Sequence, residues 1–232
     1  MIALMAFLPG CAHTGGAGAE GEADNVDPFE NYNRSMFEFN ERLDRVVIKP
    51  VATGYKKVVP APVRKGVGNV FNNLREPTTI VNDLLQGKLG QAVEDFLRFG
   101  LNTTFGFLGW IDLATPAGLE RHEEDFGQTF AVWGLGPGPY LVLPVLGPST
   151  VADGTGLIPQ TLFTDPRTTA FNTETSYALI SADAIDYRAR LLGASKVVEL
   201  QLDPYIFRRE TYLQQRLQLI HDGDPPLDDD WN

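Results

Sequence analysis

Residues 126–152 form a run of 27 consecutive residues without a charge, long enough to suggest a helix crossing a bilayer. Nine of these residues are Gly or Pro: Gly127, Gly134, Gly136, Pro137, Gly138, Pro139, Pro144, Gly147 and Pro148. Each interior Pro removes a helical hydrogen bond and clashes with the preceding turn, and each Gly costs about 1 kcal/mol relative to Ala. A continuous helix therefore stops near Trp133, and the rest is expected to be irregular and apolar. In hydrocarbon, irregular backbone survives only when buried in protein or lining a water-filled cavity. In a soluble protein the same stretch would be a buried loop. A second uncharged run covers the 13 residues 99–111.

The charged side chains, 21% of the residues, are unevenly placed around these runs. The formal net charge is -11, but residues 1–30 and 222–232 each carry five acids and no base. The body, residues 31–221, keeps 20 acids against 19 bases. Acidic ends on a near-neutral body argue against nucleic acid, which requires a basic stripe. At 232 residues and 43% hydrophobic composition the chain can bury a core, with one domain as the expectation. Three histidines and one cysteine supply no Cys-rich zinc site and no intrachain disulfide, so neither a metal nor a cofactor is expected.

That single cysteine, Cys11, closes the leader MIALMAFLPGC. Residues 1–10 are apolar and too short to span a bilayer, and read as the end of a signal peptide. Leu8-Pro9-Gly10-Cys11 resembles a bacterial lipobox, with Leu at -3 and Gly at -1; it departs from that pattern at Pro9 and in lacking a basic n-region, which places the expected start upstream. Cys11 is the expected lipidation site. Residues 12–26, rich in Gly, Ala and acids, read as a tether with a reach of roughly 20 Å. Ala12 at +2 is not the Asp of inner-membrane retention, so sorting to the outer membrane is expected.

From residue 27 onward the pattern is helical. Asp27-Pro28-Phe29-Glu30 offers a capping Asp, Pro at N1 and Glu at N3, predicting a helix over 28–47. Further helices are predicted from Pro50, over 62–74, over 77–86 ending at Gly87, and over 89–104. At the other end 175–192, 195–202 and 204–221 are predicted helical, the last opened by Asp203-Pro204. Strand-like alternation is nowhere sustained, so the fold class is all-α. Phe29, Met36, Phe39, Phe71, Phe96 and Phe99 are the expected acyl-chain contacts. Residues 34–65 carry eight bases against three acids, and Lys56, Lys57, Arg64 and Lys65 are candidate head-group contacts. A plain solvated face is the bland alternative.

No Walker loop, G-x-S-x-G elbow, H-E-x-x-H or G-x-G-x-x-G occurs, and no catalytic residue is assigned. His122-Glu123-Glu124-Asp125 reads as the first-turn charges of a helix running to Trp133, since consecutive acids cannot share a helix face.

The blocks DPFENYNRSMFEFNERLD (27–44), KPVATGYKKVVP (49–60), NLREPTTIVNDLLQGK (73–88), EDFGQTFAVWGLGPGPYLVLPVLGPST (124–150) and DPYIFRRETYLQQR (203–216) resemble, in order, those of the VacJ/MlaA lipoprotein family. The resemblance covers residues 27–221 and leaves 222–232 as an acidic tail. It implies an all-helical, ring-like bundle of amphipathic and interfacial helices embedded in the outer membrane of a Gram-negative bacterium. By that resemblance, phospholipid misplaced in the outer leaflet leaves through a polar channel and passes to a soluble periplasmic lipid-binding protein. A trimeric porin is the implied outer-membrane partner, and an inner-membrane ABC transporter complex acts further along. Gly134, Gly136, Pro137, Gly138, Pro139 and Tyr140 are the candidate channel segment, because Gly and Pro bring backbone polar groups to a throat. Two rival readings remain: a structural lipoprotein scaffold without lipid transfer, and a lipid hydrolase, for which an activated nucleophile is missing.

Overall fold

The computed structural model describes residues 27–193 and 201–225. The chain opens with α1 (Glu30–Leu43), which passes through a π-helical turn (Asp44–Ile48) directly into α2 (Lys49–Val58), with Pro50 in its first turn. α3 (Ala61–Gln86) follows as one long helix ended by Gly87, and α4 (Leu89–Thr104) returns along it. The sequence pattern divides α3 at Pro77, but the helix continues through it: Pro77 cannot donate to the carbonyl of Asn73, and packing on α4 holds the two halves in line.

The uncharged run is more ordered than its composition suggests. It forms α5 (Phe126–Val132), the loop 133–139, a hairpin of β1 (Tyr140–Leu143) and β2 (Gly147–Thr150), and the start of α6 (Val151–Pro159). A π-helical turn (Gln160–Thr164), α7 (Pro166–Thr169), α8 (Thr173–Leu191) and α9 (Pro204–Ile220) complete the chain. The predicted helix 195–202 falls mostly on residues 194–200, which lie outside the described residues. The architecture is helical as expected, with this small antiparallel hairpin added.

Side chains of α1 make the hairpin possible. Asn33, two turns before Asn40 on the same face of α1, donates through Nδ2 to the carbonyl of Tyr140 at 3.1 Å and accepts the N–H of Val142 at 2.8 Å. Asn40 likewise donates to the Leu143 carbonyl at 2.9 Å and accepts from the Val145 N–H at 2.7 Å. Two amides thus replace the neighbouring strand that β1 lacks on that edge. Asp27 does not cap α1, whose N-cap is Phe29; instead it is buried and accepts from Asn33 at 2.7 Å, from Arg209 at 3.2 Å and from the Tyr205 hydroxyl. Distant partners outcompete the local cap.

Packing closes a circuit. α1 lies on β1, β1 on α6, α6 on α5, α5 on α3, α3 on α8 and α8 on α2, which returns through the π-helical turn to α1. α9 braces this ring against α5 and β2. One compact apolar cluster forms where Tyr140, Val142 and Tyr205 meet Phe37, Ile206 and Leu213.

Elsewhere the polarity is inverted. Among the described residues ten apolar side chains are buried, five of them alanines, against twenty-one polar or charged ones, while large side chains such as Phe96, Phe105, Phe107 and Phe163 stand more than 60% exposed. Of the expected acyl contacts Phe29, Phe39 and Phe96 are exposed, but Phe71 is buried and Met36 packs on the apolar cluster. Among the described residues no helix is long and apolar enough to cross a membrane.

The inward carboxyls feel this burial. Glu76 is pushed up to about 7 by desolvation and then by the charge of Asp95, against the pull of Arg121 and Arg98. Asp83, fully buried, is also raised to about 7 by desolvation, with Asp95 and Glu124 adding to it.

Replacing Asn33 by Ala leaves the Val142 N–H and the Tyr140 carbonyl unpaired, and should destabilise the fold by about 2–3 kcal/mol, read by denaturant unfolding in detergent. A carboxyl that titrates higher when folded supports folding while protonated. That contribution is complete below about pH 4 and is lost as pH rises through about 7. The melting temperature should therefore fall between about pH 5 and about pH 8, and Asp83→Asn should flatten that fall.

Candidate functional site

Between the helices of the ring lies an open cavity of about 600 Å³. α3 contributes Asn72, Arg75 and Thr79 to its wall, the approach to α5 contributes Arg121, Glu124 and Gln128, and the helices beyond contribute Arg167, Asp183 and Arg190. Leu146, Leu157, Ile180 and Leu219 give it apolar borders. A second cavity of about 320 Å³ shares Asp125, Leu146, Leu157 and Gln160 with the first, and a small polar one of about 80 Å³ shares Asn72 and Arg121.

Charges on this wall are fixed by pairing. Arg167 holds Asp165 through Nη2 at 2.7 Å and reaches Asp183 through Nη1 at 2.5 Å; Arg75 approaches the same Asp183 oxygen from α3. Burial alone would lower Arg167, but its hydrogen bond to Asp165 and the charges of Asp165 and Asp183 hold it above the ordinary arginine value. Arg121 lies 3.1 Å from Glu123 and 3.8 Å from Glu76. Arg190 lies 3.3 Å from Asp186.

The 122–125 stretch divides its labour. Only Asp125 caps α5, accepting the Gln128 N–H at 2.9 Å. Burial would raise its carboxyl, yet the hydrogen bond and charge of Arg216 hold it below the ordinary value. Arg216 thereby ties α9 to the ring, bonding Asp125 at 2.6 Å and Asp153 at 2.5 Å. Glu124 turns inward to Lys88 at 2.8 Å and Gln86 at 2.7 Å, and burial raises it in spite of both. His122 reaches Asp95 at 2.9 Å. Among the described residues no group of three or more His, Cys, Asp or Glu is placed to hold a metal ion.

The candidate residues from the sequence fall elsewhere. Gly134, Gly136, Pro137, Gly138, Pro139 and Tyr140 line none of these three cavities. Tyr140 is buried in the apolar cluster, and the loop before it is mostly exposed. Gly134, Gly136 and Gly138 take φ of 85°, 66° and 68°, the left-handed conformations that favour Gly. The loop carries the hairpin, and it is the hairpin turn that delivers Leu146 to the cavity wall. Lys56, Lys57 and Lys65 gather at the exposed α2–α3 junction beside Val58, which is 81% exposed. Arg64 instead spends its guanidinium on the Lys56 carbonyl at 3.0 Å and the Val59 carbonyl, closing the end of α2. Cys11 lies outside the described residues.

The cavity arginines were not singled out in the sequence. The available signal is a stripe on α3, where Asn69, Asn72, Glu76, Thr79 and Asp83 recur at helical spacing opposite an apolar one.

Residues 25–219 match the family described as MlaA lipoprotein. The intermembrane phospholipid transport system lipoprotein MlaA of Shigella flexneri is 37% identical over 222 residues, covering 94% of this chain and 86% of that protein. Its namesake in Escherichia coli (strain K12) is 36% identical over the same shares. A chain in a solved structure described as the structural basis for maintenance of bacterial outer membrane lipid asymmetry is 36% identical, with a TM-score of 0.76 over 84% of this chain and 98% of that one. Helices closed around a charged, hydrogen-bonded interior, under an apolar exterior, are thus the form of a known family: the chain belongs to the MlaA lipoproteins.

Proposed function

We propose that this protein removes misplaced phospholipid from the outer leaflet of a Gram-negative outer membrane and hands it to a soluble periplasmic lipid-binding protein, so maintaining lipid asymmetry. The observation that carries the reading is the polar, charge-paired cavity of about 600 Å³ inside a ring whose outer face is apolar. A phospholipid head group loses several kcal/mol or more when taken into hydrocarbon, whereas its acyl chains do not. A polar interior lets the head cross in contact with water and fixed dipoles while the tails follow an apolar wall. The names borne by the relatives, with intermembrane phospholipid transport in both, support the same cargo.

The chain has no nucleotide-binding motif, so direction comes from its partners or from the lipid gradient. A trimeric porin in the outer membrane, and an inner-membrane ABC transporter complex beyond the carrier, complete the proposed route. Lipid on Cys11 and the tether 12–26 would keep the ring at the membrane. The exposed Lys56, Lys57 and Lys65 would meet phosphates at its surface.

The loop 134–139 serves this reading by placing the hairpin. A Cβ at Gly138 would stand 3.2 Å from Cβ of Val151, and a β-branched residue at φ of 66° or 68° is strained whatever the space around it.

Deletion of the gene should raise outer-leaflet phospholipid, and the intact gene should restore it; an unchanged lipid distribution in the deletion strain would overturn the function. The double variant Gly136→Val, Gly138→Val should reach the outer membrane folded yet leave outer-leaflet phospholipid at the level of the deletion strain. Normal lipid composition would remove the loop from the mechanism, and loss of the folded protein would assign its glycines to packing alone.

Cys11→Ala, expressed behind a complete signal peptide, should abolish palmitate labelling. In that unlipidated form, Gln at positions 56, 57 and 65 should weaken binding to phosphatidylglycerol vesicles; a persistent label or unchanged binding would refute the respective assignment.

A further inference from the structure

Resting on the reading of the cavity as the lipid path, we propose that Arg75 and Arg167 form a subsite for the phosphodiester monoanion of the head group, and that Asp183 is its resident counter-ion, displaced by each passing phosphate. Both guanidiniums converge on one oxygen, Oδ2 of Asp183, from two different helices. The other oxygen, Oδ1, is buried and accepts no hydrogen bond. A single carboxylate oxygen is a poor match for two forked donors. A phosphodiester has two equivalent non-bridging oxygens and can offer one to each.

The two arginines are also held in place without Asp183. Arg167 makes three further contacts with Asp165, at 2.7, 3.0 and 3.1 Å, and Arg75 donates through Nη1 to Asn72 at 3.1 Å. The arginine pair is therefore preorganised, while Asp183 is the exchangeable member. The Arg75 side chain is 32% exposed, so an incoming anion can reach it. On α8, Ile180 and Tyr187 lie about one turn to either side of Asp183 and line the same cavity, giving the glycerol and the first acyl carbons an apolar wall.

A resident carboxylate has a kinetic use. Two bare guanidiniums facing the cavity would bind a phosphodiester tightly and release it slowly, which defeats transport. Competition from Asp183 keeps affinity low in both directions. Asp183 is thus a positioning and release residue, with no bond made or broken.

The test titrates the purified full chain in detergent with dihexanoyl phosphatidylglycerol, with glycerophosphoglycerol and with inorganic phosphate. Asp183→Asn should bind both phosphodiesters about tenfold more tightly and lower the rate of lipid removal in cells. Arg75→Gln in the unaltered background should weaken both about tenfold in protein that remains folded. Glu38→Gln removes an exposed carboxylate on α1, outside the three cavities, and should change neither. An equal gain in Glu38→Gln would reduce the effect to net charge and overturn the proposal, as would unchanged affinity in Arg75→Gln, which decides the matter if Asp183→Asn does not fold. A gain confined to inorganic phosphate would overturn the head-group assignment. If the folded wild type binds no phosphodiester at all, the lipid-path reading itself fails; if it binds and the variants are unaltered, only the subsite fails.

Discussion

A chain that turns amides, carboxylates and guanidiniums inward has to pair them largely with one another, because each buried polar group left unpaired costs about 1–3 kcal/mol. That constraint organises this protein more than any apolar core does. Asn33 serves two backbone groups and Asp27 at once. Arg216 joins α9 to the Asp125 cap of α5 and to Asp153 in the first turn of α6, and Asp27 joins the start of α1 to α9. Removing one partner of such a buried pair typically costs about 3–5 kcal/mol. The ring is therefore held by a few long-range ionic ties, among which the loss of one exposes the next.

The same inversion accounts for the exterior. Helices α3 and α4 present Leu84, Leu85, Leu89, Val93, Phe96 and Leu97 outward, a larger apolar surface than a water-soluble monomer ordinarily leaves uncovered. With lipid on that face, burial of these side chains and satisfaction of the interior become complementary halves of one arrangement. No single helix needs to be apolar all round.

What the sequence revealed follows from this physics. α4, α8 and α9 were legible from spacing and punctuation, down to the Gly87 end of α3 and the Asp203 cap of α9. Long amphipathic helices carry their period wherever they are placed. The hairpin was not legible, because β1 owes its outer-edge hydrogen bonds to Asn33 and Asn40, more than a hundred residues away. α6 was missed as well: Gly154, Gly156 and Pro159 speak against a helix, and only packing against α5, with the Thr150 cap, sustains it. That the candidate channel segment lines none of the three cavities has a related reason. Gly and Pro announce an unusual backbone, but not which wall that backbone builds. On α3 two stripes were visible, and a sequence alone does not say that the polar one faces in.

Charge balance in the cavity bears on how the proposed lipid path would work. Four arginines on the wall, Arg75, Arg121, Arg167 and Arg190, are equalled in number by four acids, Glu123, Glu124, Asp125 and Asp183, and each finds an ionic partner on the wall or just behind it. A cavity lined by unopposed arginines would hold a phosphodiester as a trap, and one lined by unopposed acids would exclude it. Interior pairing avoids both, because an arriving anion exchanges one ionic partner for another of the same charge at little change in solvation. Selectivity between head and tail then comes from the wall, where polar pairs adjoin Leu146, Leu157 and Ile180 within a single cavity. The sharing of Asp125, Leu146, Leu157 and Gln160 with the adjoining cavity, itself walled by Tyr212 and Arg216 of α9, extends this mixed surface toward the C-terminal helix. A ring built to stabilise its own buried charges is, by the same pairs, a ring that can pass a charged group without binding it strongly.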